Sequence, residues 1–294
     1  MPGRFGPVVT AMVTPFQEDG SLDVPRAQEL ARRLLDTGSS SLVVAGSTGE
    51  AATMSDQEKD TLFRAVVEAV EGRGKVIAGT GTYDTAHSIH LSEWAEKAGV
   101  DALLVVTPYY NKPPQRGLIE HFTAVANATS LPNIVYNIPG RTATRISHET
   151  LLRLAEVENI VAVKDSTADL DGLAHLLREI PDGFDVYQGD DWATFISVCL
   201  GAAGVISVAA HVAGDRIAEM IESIESGDVA SARKIHLDLV PLFDALFVTS
   251  NPIPVKTALG LTGFPVGDPR RPLVPAIDEE IAALRQAMGG LGLL

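Results

Sequence analysis

Residues 133–164, NIVYNIPGRTATRISHETLLRLAEVENIVAVK, contain two short apolar segments with a helical stretch between them. The two segments, Asn133–Asn137 and Ile160–Lys164, have the unbroken apolar character that is typical of parallel strands buried on both faces. Between them, Ser147 precedes the leucines of residues 151–154 in the manner of an N-terminal helix cap. The sequence therefore predicts a strand, a helix and a second strand, which is the repeating unit of α/β folds.

The same alternation extends in both directions along the chain. Six further strand candidates are Val8–Thr14, Ser41–Ala45, Val76–Thr80, Ala102–Val106, Phe184–Gln188 and Gly204–Val208. Eight strands, each followed by a helical stretch, predict an α/β protein with a (β/α)8 TIM barrel, and 294 residues suffice for one. The alternative is a doubly wound open sheet, which the lack of a G-x-G-x-x-G turn after the first strand disfavours.

The alternation stops at about residue 225. Three later segments have helical character and are separated by stretches rich in proline and glycine, namely residues 229–248, 252–260 and 276–288. We therefore expect a catalytic barrel over residues 1–225 and a C-terminal helical extension over residues 226–294 that packs against it.

Charge and composition exclude several classes of partner. The formal net charge is −15, so nucleic acid and anionic membranes are poor partners. No apolar run approaches the ~20 residues of a membrane helix, and the N-terminus lacks the features of a secretory signal. We expect a cytoplasmic protein. A single cysteine, Cys199, stands in an apolar stretch and is predicted to be a buried packing thiol.

A metal site is not expected. His87 and His90 are spaced for one helix face, but no carboxylate stands at ligand spacing from them. Asp190 and Asp191 follow the seventh strand and are interpreted as helix caps rather than ligands.

Lysine placement selects one candidate nucleophile. Functional residues of such barrels gather at the C-terminal ends of the strands, and of seven lysines only Lys164 ends an apolar strand. Lys59, Lys97 and Lys234 are predicted to lie on polar helix faces. Burial at the strand end would favour the neutral amine that a nucleophile needs. The alternative is a strand-end lysine that reaches water or pairs with Asp165.

Other side chains at the same end of the barrel could complete a site. Tyr136 could relay a proton, or it could simply cap the barrel as an aromatic residue. Ser47 and Thr48 lie in a glycine-flanked turn that could bind a carboxylate. Arg141 could form a bidentate pair with a carboxylate, or it could be a solvated loop residue.

These segments together resemble the dihydrodipicolinate synthase / N-acetylneuraminate lyase family, and the resemblance covers nearly the whole chain. It is carried by motifs in order: GSTGE (46–50), IAGTGTYDTAHSI (77–89), VVTPYYNKPPQRGL (105–118), VYNIPGRT (135–142), VAVKDS (161–166), QGDD (188–191), GVISV (204–208) and NPIPVK (251–256).

The resemblance implies a mechanism without a cofactor other than a covalent imine. It implies that Lys164 forms the imine with pyruvate and that Tyr136 transfers protons. It implies that Ser47 and Thr48 bind the pyruvate carboxylate, with Thr48 also in a proton relay. In the synthase branch, Tyr110 would complete that relay across a subunit interface, usually in a homotetramer.

The branch of the family determines the second substrate. In the synthases, the arginine matched by Arg141 binds the carboxylate of aspartate semialdehyde, whereas Ser47 stands where synthases usually carry threonine. We expect condensation of pyruvate with L-aspartate 4-semialdehyde. The alternatives are a pyruvate aldolase for a sialic acid or a 2-keto-3-deoxy sugar acid, and a catalytically silent binding protein. The expected substrate-binding residues are Ser47, Thr48, Arg141, Gly189 and Ile206.

The resemblance also bears on regulation. Members inhibited by lysine carry polar or ionisable residues at an inter-subunit site. The matching residues here do not reproduce that pattern, so we predict weak or absent inhibition by lysine; these residues are Ala51, Asp56, Lys59, Tyr83 and His87.

Overall fold

The structure, a computed structural model, describes residues 3–294. Eight strands form a closed parallel barrel in which each strand pairs with the next and the last pairs with the first. The predicted (β/α)8 barrel is confirmed. The strands are β1 (Val8–Ala11), β2 (Ser41–Val44), β3 (Lys75–Gly79), β4 (Ala102–Val106), β5 (Asn133–Asn137), β6 (Ile160–Asp165), β7 (Asp185–Gln188) and β8 (Gly204–Ser207).

The predicted strand positions match the barrel, although β1 is shorter than expected. It ends at Ala11 rather than Thr14, because Thr14 leaves the ladder and its hydroxyl donates to the carbonyl of Gly49 at 2.6 Å. This bond ties the end of the first strand to the loop after the second strand.

Helices follow the strands around the outside of the barrel. They are α1 (Val24–Asp36), α2 (Asp56–Val70), α3 (Thr85–Ala98), α4 (Gln115–Ala126), α5 (Pro139–Thr142), α6 (His148–Leu154), α7 (Leu170–Glu179), α8 (Thr194–Leu200), α9 (Ala210–Glu225), α10 (Val229–Leu246), α11 (Ile253–Leu261) and α12 (Asp278–Gly290). Sequence signals set two of their starts. Ser55 and Glu58 form a reciprocal capping box at α2, and Ser147 accepts the N–H of Thr150 at α6.

The helices after residue 225 share one hydrophobic core with the barrel helices. Leu246 of α10, Leu259 of α11 and Leu284 of α12 are fully buried in the same cluster as Leu34 of α1. The division of the chain into residues 1–225 and 226–294 stays a prediction.

The prediction for Cys199 is wrong, because this thiol is exposed. Its apolar sequence neighbours belong to α8, and the exposed residues Ile196 and Leu200 lie on the same outer side of that short helix. Within residues 3–294, no helix has both the length and the apolar character needed to cross a membrane. The same residues contain no cluster of three or more His, Cys, Asp or Glu side chains suited to a metal ion.

Candidate active site

Lys164 and Tyr136 lie side by side at the C-terminal end of the barrel. They are register partners on the adjacent strands β6 and β5, and both are buried. Lys164 Nζ lies 4.3 Å from the centroid of the Tyr136 ring. The carboxylate of Asp165 bonds instead to the Thr167 hydroxyl at 2.7 Å and to Asn137 at 3.4 Å. The structure therefore places an amine against a phenol, rather than against its acidic sequence neighbour.

The loop after β2 carries Ser47 and Thr48 and has an unusual backbone. Ala45 and Glu50, at its two ends, have φ values of 53° and 56°, in the left-handed region that side chains other than glycine rarely adopt. Residues held in such conformations cluster at functional sites, where the surrounding structure must compensate for their cost. Gly79 of β3 makes room for this loop, since a Cβ there would lie 2.2 Å from the Ala45 carbonyl oxygen.

Buried charges hold this loop from the other side. The carboxylate of Glu50 accepts Lys256 Nζ at 2.7 Å and the backbone N–H of Arg270 at 2.8 Å. The side chains of Glu50 and Lys256 are 1% and 2% exposed. Lys256 Nζ and the Arg270 guanidinium also lie 4.4 Å and 4.2 Å from the ring centroid of Phe16. Burial lowers the pKa of Lys256, and the charge of Glu50 opposes that shift.

A cavity of about 380 Å³ opens over these loops. The site candidates Ser47, Tyr136 and Arg141 line it, together with Tyr109 and Asn251. Its walls mix aromatic and apolar side chains with a few polar groups, as in most small-molecule sites.

Three further site candidates, Thr48, Gly189 and Ile206, lie directly behind the cavity walls. Thr48 is 4% exposed and bonded to Asn251, which lines the cavity. A Cβ on Gly189 would lie 3.0 Å from Lys164 Cε, so this glycine permits the close approach of the β7 loop to the lysine. Ile206 is fully buried in the same apolar cluster as Tyr136. None of these residues is remote from the cavity.

Arg141 is presented by α5, a single helical turn after β5. Its side chain is exposed, and Nη2 donates a long bond of 3.4 Å to the backbone carbonyl of Asn251. Since guanidinium has five N–H donors, most of them are free to bind an anion at the cavity.

Tyr110 is the one candidate that this chain does not bring into the site. It is 90% exposed and has a φ of 74°. Its neighbour Tyr109 lines the cavity instead and makes an edge-to-face contact with Tyr83 at 5.4 Å between ring centroids. Within a single chain, the side chain of Tyr110 therefore lies on the surface and not in the cavity.

Two carboxylates, the half-buried Asp190 and the buried Asp191, follow β7 near Lys164. Burial raises the pKa of both Asp190 and Asp191, and the nearby charge of Lys164 opposes this shift in each. The Asp191 carboxylate accepts the backbone N–H groups of Val208 and Ala209 and the Ser207 hydroxyl. It therefore supports the turn before α9. Asp190 occupies the N-cap position of the short 3-10 helix Asp191–Ala193, as predicted, although its side chain makes no cap hydrogen bond.

Sequence reasoning missed two features of the site. Asn251 bonds to Thr48 and lines the cavity, and the prolines around it in NPIP were the available signal of a fixed turn. Lys59 is 7% exposed and also lines the cavity, so its predicted place on a polar helix face is wrong. The reason is that Lys59 points from the first turn of α2 toward the cavity, whereas its neighbour Gln57 faces solvent.

A sequence model of the Dihydrodipicolinate synthetase family matches residues 4–289. The chain belongs to this family. It is 52% identical over 281 residues to the 4-hydroxy-tetrahydrodipicolinate synthase of Desulforudis audaxviator, a match that covers 96% of each chain. It is also 52% identical over 291 residues to the enzyme of that name from Moorella thermoacetica, covering 99% of this chain and 100% of the relative.

A solved structure agrees with these sequence relationships. The dihydrodipicolinate synthase of Cyanidioschyzon merolae, crystallised with lysine bound, superposes with a TM-score of 0.98 at 45% identity, covering 99% of this chain and 100% of that one. The family resemblance inferred from the motifs is confirmed.

Proposed function

We propose that this protein condenses pyruvate with L-aspartate 4-semialdehyde to 4-hydroxy-tetrahydrodipicolinate, as a step of lysine and diaminopimelate biosynthesis. It is a lyase of the class I aldolase type, like the relatives that share about half of its sequence over nearly its full length. The observation that carries the mechanism is the buried Lys164 amine, 4.3 Å from the Tyr136 ring centroid, behind a cavity that Arg141 also lines.

The first half of the reaction builds an imine on the enzyme. The neutral amine of Lys164 attacks the ketone carbon of pyruvate, whose carboxylate is held by Ser47 and Thr48. Tyr136 relays protons as the new C–N bond forms and the ketone oxygen leaves as water. The positively charged iminium then withdraws electrons from the methyl group, which loses a proton to give an enamine.

The second half joins the two substrates. The enamine carbon adds to the aldehyde carbon of aspartate semialdehyde, whose carboxylate binds the guanidinium of Arg141. Hydrolysis releases the product and restores Lys164. The imine supplies the electron sink, so this chemistry requires neither a metal ion nor an organic cofactor.

One observation favours a second candidate. Ser47 stands where synthases usually carry threonine, so a related aldolase reaction on a sialic acid or a 2-keto-3-deoxy sugar acid is the competing assignment. Arg141 weighs against it, because a polyhydroxylated aldehyde does not need a second cation at the cavity.

The test is pyruvate consumption with aspartate semialdehyde by the wild-type protein and by Arg141→Ala. Loss of a charge-assisted bond is worth about 1.5–3 kcal/mol, so kcat/KM should fall by about 10- to 150-fold, mainly through the KM of the aldehyde. Arg153→Ala is the matched control, since Arg153 is an exposed arginine of α6 whose one ion pair within residues 3–294 is with Glu149 at 3.6 Å.

Trapping tests the Schiff base independently of the choice of aldehyde. Borohydride reduction with pyruvate should attach the substrate to Lys164 in both arginine variants. Trapping without condensation would support the competing assignment to a sialic acid or a sugar acid. Failure to trap Lys164 would refute the Schiff-base mechanism.

We further propose that two copies of the chain complete each site, within a homotetramer. The exposed Tyr110 supports this, because a relay residue must reach a cavity that its own chain does not offer it. Co-assembly of Lys164→Ala with Tyr110→Phe subunits should then regain about a quarter of full activity, if dimers pair at random. A mixture no more active than its parts would refute the shared site.

A further inference from the structure

Asn251 connects two loops of the proposed site. Its side-chain Nδ2 donates a 2.9 Å hydrogen bond to Thr48 Oγ1, and its backbone carbonyl accepts the 3.4 Å bond from Arg141 Nη2. The residue lies between α10 and α11, is 6% exposed, and lines the cavity. One residue of the C-terminal helices thus touches a side chain assigned to each of the two substrates.

The direction of the bond to Thr48 limits what that hydroxyl can do. An amide NH2 group only donates, whereas a hydroxyl can accept two hydrogen bonds and donate one. Since Thr48 Oγ1 accepts from Asn251, its own proton is free for a different partner. A hydroxyl whose proton is free to donate can bond to the pyruvate carboxylate that this loop is proposed to hold.

Packing does not explain an asparagine here. Asn251 Oδ1 is buried and has no hydrogen-bond partner within residues 3–294. A buried carbonyl oxygen without a partner lowers stability, and an apolar side chain of similar volume would avoid that cost. The Nδ2 donor is therefore the part of this side chain that needs a functional explanation.

We propose that Asn251 is a positioning residue that holds the Thr48 hydroxyl in one orientation, as a donor, while the pyruvate enamine forms. Asn251 itself neither gains nor loses a proton, and it acts on the reaction through Thr48. This inference rests on the proposed Schiff-base function, and it names the role of a residue outside the catalytic set.

The test replaces the donor with an acceptor of the same shape. Asn251→Asp should turn the Thr48 proton toward the new carboxylate and away from the carboxylate of pyruvate. Loss of that charge-assisted bond should slow exchange of the pyruvate methyl hydrogens with D2O by about 100-fold near neutral pH. The exchange is followed by NMR and requires the enamine but no aldehyde. As the pH falls, the introduced carboxyl becomes protonated and can donate again, so exchange should recover. The KM for the aldehyde should stay unchanged, because Arg141 contacts the backbone of Asn251.

Asn133→Asp is a matched control for the loss of a buried amide. Asn133 is 2% exposed, its Nδ2 donates to the Leu131 carbonyl at 2.8 Å, and its Oδ1 also lacks a partner within residues 3–294. It lies at the start of β5, at the opposite end of the barrel. This variant should lose stability without slowing exchange.

Two further variants keep the proposal testable if Asn251→Asp fails to fold. Asn251→Ala should slow exchange without the recovery in acid. Asn251→Ala combined with Thr48→Val should be no slower than Thr48→Val alone, because both changes act on one hydroxyl. Multiplying effects in the double variant, or unchanged exchange in Asn251→Ala, would overturn the positioning role. Absence of exchange in the wild-type protein would overturn the proposed function and this inference with it, whereas exchange without condensation would overturn only the choice of aldehyde.

Discussion

Replacing Lys256 with methionine should destabilise the protein strongly, although the residue is remote from the chemistry. Its Nζ lies 2.7 Å from Glu50, and both side chains are almost completely buried, at 2% and 1% exposure. Methionine fills most of the volume of the lysine stem, so the main loss is the positive charge. Removing one partner of a buried pair costs about 3–5 kcal/mol, because the other charge remains without compensation. Glu50 would still accept the backbone N–H of Arg270 in the variant, so we expect a cost near the lower end of this 3–5 kcal/mol range.

Thermal and denaturant unfolding measure this cost. A loss of about 3–5 kcal/mol in a chain of this size should lower Tm by about 5–8 °C. Lys75→Met is the matched control, since Lys75 forms an ion pair of the same 2.7 Å length with Asp101, but with side chains 56% and 32% exposed. An exposed pair of this kind contributes at most about 1 kcal/mol.

A double variant tests the reason for the effect. Glu50→Gln combined with Lys256→Met removes both charges and should regain much of the stability lost in Lys256→Met alone. Because Glu50 ends the loop that carries Ser47 and Thr48, the single variant should also raise the KM for pyruvate. An effect of Lys256→Met as mild as that of Lys75→Met, or a double variant less stable than the single one, would contradict the buried-charge explanation.

Three further predictions address activity, pH and regulation. Gly189→Ala should reduce kcat by about 100-fold, because the added Cβ would overlap Ser166 Oγ and lie 3.0 Å from Lys164 Cε. Gly289→Ala, whose added Cβ has no atom within 4 Å, should leave activity unchanged. Burial raises the pKa of Asp165 to about 6, from 3.8 in the unfolded chain. Between pH 4 and pH 6 the folded state therefore binds one more proton at this carboxyl than the unfolded state does, so the free energy of unfolding should fall as the pH rises. Asp165→Asn should lack this dependence. Measured by urea unfolding, the free energy of unfolding of the wild-type protein should fall by on the order of 2–3 kcal/mol more than that of the variant over this pH range. Parallel pH dependences of the two proteins would contradict the prediction. Turnover should persist in millimolar lysine, and its abolition would show that the altered inter-subunit residues still bind this effector.

The fold was predictable because local patterns and the global architecture agree. Asn133–Asn137 and Ala102–Val106 are strands with the predicted ends, since each is a continuous apolar run with polar or turn residues at its borders. The capping box of Ser55 and Glu58 was readable for a similar reason, because both partners lie within one helical turn. The end of β1 was not readable, because Thr14 leaves the strand for a bond to a residue 35 positions away.

The candidate site was predictable only in part, for a related physical reason. Lys164 and Tyr136 could be placed at one rim because strand ends meet there in any barrel of this class. Lys59 was misplaced, because its helix position is determined by a cavity that forms between distant loops. Exposure of Tyr110 could not be derived from composition either, since a left-handed backbone at that residue turns one tyrosine of the pair outward and leaves Tyr109 inside.

The C-terminal helices act on the site, although the sequence pattern marks them only as an addition to the barrel. The loop after β2 has left-handed residues at both ends, and each such residue costs about 1–3 kcal/mol unless its surroundings hold it in place. Asn251, Lys256 and Arg270 provide that support, through Thr48 in one case and Glu50 in the others. A barrel without these residues would keep its lysine and tyrosine but lose the contacts that hold the loop of Ser47 and Thr48 in its strained shape. We therefore expect catalytic competence to depend on the C-terminal helices as well as on the barrel.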